Sequence, residues 1–113
     1  MKTLRIEIDT TDRQLANDLS GGQLDSASPK AVAIPGDATL EIDHLVKRYA
    51  LEVPETIVAI LSVGKSVAVG LVAAWLYDKL KGRTKTLKIE ETEVRIKKAD
   101  IEITVKHKLE EKE

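Results

Sequence analysis

The chain contains no cysteine and no phenylalanine. Without thiols there is no disulfide framework and no thiolate metal site. Without phenylalanine, and with only Tyr49, Trp75 and Tyr77 as aromatics, a core must be built from Val, Ile, Leu and Ala. No charge dominates either. The 18 Lys and Arg nearly balance the 19 Asp and Glu, so the basic surplus of a general nucleic-acid binder is missing. The N-terminus, Met1 to Glu7, turns polar within a few residues and lacks the apolar stretch of a signal peptide. The expected location is the cytoplasm, with inner-membrane association as the alternative.

What the chain does have is one long apolar run. From Ile57 to Leu76 it reads IVAILSVGKSVAVGLVAAWL, interrupted only by Ser62, Lys65 and Ser66 besides its glycines. That is about the roughly 20 residues of a bilayer-spanning helix. A helix apolar on nearly every side must be covered on nearly every side. Pro54 and Glu55 suit its first turn, Lys79 and Lys81 its last, and Gly82 its C-terminal cap, so the spacing predicts a long helix over 54–81.

Around this run the pattern is of short elements in a single domain, 1–113. Leu4, Ile6 and Ile8 alternate with Arg5, Glu7 and Asp9, which predicts a strand within 1–10. Arg13 to Leu19 suits a short helical turn. The stretch 20–38 is rich in Gly, Ser, Asp and Pro and reads as a loop. Ala31 to Ile34 form a short edge strand within it, before a turn at Pro35-Gly36-Asp37. Leu40, Ile42, Leu45, Val46 and Tyr49 are spaced as in a helix over 40–52. Residues 85–108 read as a three-strand meander: Leu87 and Ile89, then Val94 and Ile96, then Ile101, Ile103 and Val105, each set alternating with polar residues. A charged tail, 109–113, follows. The expected fold is α+β, an antiparallel sheet of the N-terminal strand and the meander, covered on one face by the long helix.

Ser62, Ser66, Gly70 and Ala74 recur every fourth residue and form one small-residue stripe on such a helix. Small residues at this spacing let two helix backbones approach closely, so these four are the expected self-association residues. Other constellations carry less chemistry. Ala59 to Ser66, AILSVGKS, matches a loose phosphate-binding loop with Ala for the first Gly. That loop needs a strand before it and a flexible Gly-rich turn, and here the intervening residues are apolar and helix-compatible. His44 and His107 lie in different elements, with no acidic residue at metal-ligand spacing. Asp43 and His44 are adjacent and would point apart on a helix. Glu90 to Glu93 reads as a solvated hairpin tip. Lys79, Lys81, Arg83, Lys85 and Lys88 complement the end of a helix dipole. No catalytic residue, cofactor or metal is expected.

The second half is similar to one family. An apolar helix with Trp75-Leu76 near its end, a basic stretch from Lys79 to Lys85, and charged alternating segments from Leu87 to Val105 resemble the effector-associated constant components of bacterial conflict systems. The resemblance implies an accessory protein working beside NTPase and peptidase-type effectors, and it carries over no catalytic residue. The expected function is a non-enzymatic interaction module whose partner is a second copy or another protein, with no nucleic acid and no small-molecule substrate. A membrane-anchored protein using helix 57–76 is the alternative. Lys65 stands against that alternative, because a charge near the middle of a span costs about 2.5–3.5 kcal/mol.

Overall fold

The computed structural model describes residues 2–22, 31–46 and 53–112. Part of the expected loop (23–30), the second half of the expected short helix (47–52), Met1 and Glu113 lie outside them. Strand β1 (Lys2–Thr10) follows the alternation read from the sequence, burying Leu4, Ile6, Ile8 and Thr10 on one side. Helix α1 (Leu15–Leu19) buries Leu15, Ala16 and Leu19. Strand β2 (Val32–Ile34) is the expected short edge, and it turns at Gly36 and Asp37 into β3 (Ala38–Val46).

The long helix does not form. The apolar run divides into strand β4 (Glu55–Val63), a turn, and helix α2 (Val69–Leu80). The physical reason lies in its two halves. Ile57, Val58, Ile60 and Val63 are β-branched and pack well on a pleated surface. The second half concentrates Leu and Ala, the better helix formers. Gly64 marks the change. Among the described residues, no helix is long and apolar enough to cross a membrane. The C-terminal end of α2 is as read: Lys79 sits in the last turn, and Gly82 follows with φ +71°, the left-handed conformation that ends helices cheaply.

Two further elements depart from the pattern. The segment 40–46 is strand, not helix, and its apolar spacing imitates a helix because β3 carries a bulge between Ile42 and His44. Asp43 is the inserted residue, so the inward positions are Leu40, Ile42 and Leu45, and one interval is three residues instead of two. After the hairpin of β5 (Thr86–Ile89) and β6 (Thr92–Val94), the chain forms helix α3 (Lys98–Glu111) where a third meander strand was expected. Its buried residues are Ile101, Val105 and Leu109, an i, i+4, i+8 stripe, while Ile103 of the apparent alternation is 56% exposed.

The fold is therefore α+β, with six strands in the antiparallel order β2-β3-β4-β1-β5-β6. Both edge strands are three residues long, and β3 from Glu41 to Val46 has no neighbour on its outer side among the described residues. Inward residues of every strand join buried residues of all three helices in one aliphatic core, with α2 packed between α1 and α3. The helices thus cover the same face of the sheet.

Two turns are docked together at one end of the core. Ala68 N–H donates to the Gly36 carbonyl at 2.9 Å, and Gly64 N–H donates to the Asp37 carbonyl at 2.9 Å. Gly36 has φ +99°, and a Cβ there would lie 2.7 Å from the Ala68 carbonyl oxygen. Only glycine fits that conformation and that approach.

Candidate functional site

The face of the sheet opposite the helices carries no covering element among the described residues. Strand alternation places Thr3, Arg5, Glu7 and Asp9 of β1 there, beside Ser62, Ile60, Val58 and Thr56 of β4 in register. Glu41, His44 and Val46 of β3 lie on the other side of β4, and Lys88 of β5 lies beside Glu7. Glu93 of β6 continues the row past Lys88.

Local interactions fix part of this surface. Arg5 Nη2 lies 2.9 Å from Glu7 Oε1 on the same strand. Thr56 donates its hydroxyl to Asp9 Oδ1 at 2.7 Å. The bulge in β3 brings Asp43 and His44 to the same side, with Nδ1 2.7 Å from Oδ2, so adjacent residues that would diverge on a helix meet here. At the middle of the face Val58 and Ile60 form a short apolar strip. Val58 is only 3% exposed even though it points away from the core. A depression of about 360 Å3 opens nearby, lined by Glu7, Asp9, Val53, Thr56, Thr86 and Lys88.

The four small residues read as one stripe are not brought together. Ser62 lies on the open sheet face and Ser66 is exposed in the turn after β4. Gly70 and Ala74 remain one helical turn apart on α2, where the atoms nearest a Cβ at Gly70 belong to Glu102 of α3. The stripe required one unbroken helix, and the chain changes from strand to helix inside it.

The phosphate-loop candidate receives the strand it needs, but not the geometry. Gly64, Lys65 and Ser66 occupy the turn ahead of α2 and are not part of its first turn. The Gly64 N–H is already donated to the Asp37 carbonyl, so it cannot cradle a phosphate, and the Asp37 carboxylate lies directly against Gly64. Gly64 instead has a packing role, since a side chain there would collide with Asp37. No cluster of three or more His, Asp or Glu able to hold a metal exists among the described residues. His107 is exposed on α3.

The basic run disperses into separate structural duties. Lys79 stacks over Trp75 and Lys81 over Tyr77, at 5.7 and 5.5 Å from the ring centroids. Arg83 bridges Asp12 at 2.6 Å and Asp18 at 2.7 Å, and its carbonyl accepts from the Thr10 hydroxyl. Its hydrogen bonds, first to Asp12 and then to Asp18, raise the guanidinium pKa. The Arg83 hydrogen bond, helped by the Gln14 N–H, holds Asp12 below the ordinary carboxylate range. The acidic tip is likewise structural. Glu90 and Glu91 both have positive φ in the β5–β6 turn. Glu90 bonds to Lys112 at 2.7 Å and accepts from the Arg5 N–H at 2.9 Å, and these interactions lower its pKa in that order of importance. The buried Glu55, at the inner start of β4, is met by Arg13 at 2.8 Å.

These charge networks are satisfied internally, and the sheet face without a covering element among the described residues remains with unassigned chemistry. The signal for it was present in the sequence as polar residues alternating along β1. What hid its extent was the reading of β3 and β4 as helices. No family model, no curated protein and no solved structure matches this chain.

Proposed function

We propose that the chain is a non-enzymatic interaction module that pairs with a second copy of itself through the open sheet face. The observation that carries this reading is the one-sided cover of the sheet, with Val58 and Ile60 in the middle of the uncovered face. A two-fold axis parallel to the strands and running along β4 lays the Val58–Ile60 strip of one copy on that of the other and β3 across β1. Glu41 of β3 and Arg5 of β1 are both level with Ile60, so that operation turns the Glu41 carboxylate toward Arg5 of the second copy, and does so twice by symmetry. Opposite charges meet while the part-exposed Ile60 side chains are withdrawn from water. The small-residue contact expected through Ser62, Ser66, Gly70 and Ala74 is replaced by this face.

The likeness of the second half to the effector-associated constant components supports an accessory role for such a module in a bacterial conflict or signalling system.

The test is the mass in solution by light scattering. The wild-type chain is expected to run as a dimer, and Ile60→Arg as a folded monomer. Arg5→Glu should also weaken the dimer, and adding Glu41→Arg should restore it. A monomeric wild type at about 100 μM would refute the proposal, since a specific interface of ordinary size holds well below that concentration.

A further inference from the structure

A second surface lies on the helix side. The start of β1, the turn after β4 and the C-terminal half of α3 enclose a half-open groove of about 420 Å3, within the roughly 300–1,000 Å3 range of small-molecule sites. Val67, Val69 and Leu109 supply apolar walls. Lys2, Lys65 and Lys106 stand around them, with Glu110 in the lining and the Asp37 carboxylate behind Gly64. The Lys2 ammonium lies 3.4 Å from the Leu109 carbonyl.

Among the described residues Lys85, Lys88, Arg95 and Lys97 have no ion-pair partner, and neither do two lysines of this groove. Arg5, Arg13, Lys79, Lys81, Arg83 and Lys112 all face a carboxylate or an aromatic ring. Lys65 and Lys106 have no ion-pair partner among the described residues, although each borders an apolar wall. The groove also opens where α2 begins. Ala68 at the N-cap offers no side-chain acceptor, and the first turn contains no acid, so the positive end of the helix adds to the same field.

We infer that this groove binds a small anionic amphiphile, a free aliphatic carboxylate whose chain lies along Val67, Val69 and Leu109 and whose head meets Lys65 and Lys106. The walls contain no aromatic ring to stack a base, which favours an alkyl chain over a nucleotide. Lysine ammoniums act as point charges and suit a single carboxylate without requiring a planar fork. The groove opens on the helix side and is independent of the sheet-face dimer.

Titration calorimetry with decanoate, kept below its micelle concentration, tests the assignment. One decanoate per chain is expected to bind, and decanol to bind at least about tenfold more weakly. The double variant Lys65→Gln/Lys106→Gln changes only exposed side chains and should keep the wild-type melting temperature. It should lose at least about tenfold in decanoate affinity. Val67→Glu, which places a charge in the wall with the lysines intact, should also abolish binding. Absence of decanoate binding by the folded wild type would overturn the inference. So would equal affinity for decanol, or an unchanged double variant. If the chain binds vesicles of anionic phospholipid but not monomeric decanoate, the lysines serve a membrane surface and the inference fails.

Discussion

A methyl group at Gly64 would lie 2.8 Å from Asp37 Cγ and 2.9 Å from Oδ1, whereas at Gly70 the nearest atom is Glu102 Oε1 at 3.4 Å. The first collision involves a short side chain whose own backbone is tied to Gly64, so there is little room to yield. The second involves the far end of a flexible glutamate. Gly64→Ala should therefore destabilise by about 1–3 kcal/mol, the usual cost of overpacking. Gly70→Ala should stabilise by about 0.5–1 kcal/mol, because alanine loses less backbone entropy in a helix. Thermal unfolding checks both, and the two variants should shift the midpoint in opposite directions. Pairing Asp37→Gly with Gly64→Ala should recover part of the loss, because it removes the carboxylate that the methyl meets.

Arg83 works between elements. It ties the connection after α2 to the loop after β1 through Asp12, and to α1 through Asp18. Because the folded state holds the Asp12 pKa below its unfolded value of about 3.9, this carboxylate contributes stability above that pH. The contribution is lost as pH falls through the depressed folded value. Glu90, paired with Lys112, has the same sign. Urea midpoints measured from about pH 6 down to about pH 3 should fall more steeply for the wild type than for Asp12→Asn. With Asp12 and Arg83 each about a quarter to a third exposed, the difference should not exceed about 1 kcal/mol.

The same scale shows which elements sequence patterns reveal. Strand β1 and the C-terminal end of α2 were legible because strict alternation, terminal lysines and Gly82 act locally. Strand β3 was not, because the inserted Asp43 stretches one interval to the spacing of a helix. Helix α3 was not, because an exposed Ile103 falls between two buried positions and imitates a strand. The run 57–76 concealed a boundary because both a fully buried strand and a buried helix read as continuous apolar sequence. The open face was half legible: its polar residues on β1 alternate plainly, but Val58 and Ile60 belong to the strand concealed in that run.

At the scale of the molecule, the sheet order sets the folding problem. β1 sits between β4 and β5, so Ile8 pairs with both Ile57 and Leu87, contacts far apart in the chain. Closing such long loops before any contact rewards them is slow. Refolding from urea, followed through the fluorescence of Trp75, should take on the order of milliseconds to seconds. Relaxation on a microsecond timescale would contradict the central position of β1.

That position has a consequence during synthesis. Strand β1 leaves the ribosome carrying Leu4, Ile6 and Ile8, yet its second neighbour, β5, is translated only after β4 and α2 have been made. Until then a sticky ribbon waits with one or both sides unoccupied, and a nascent chain in that state is open to capture by its siblings or by chaperones. For this protein, the pace of translation and the supply of holding factors bear on yield as directly as the stability of the finished fold.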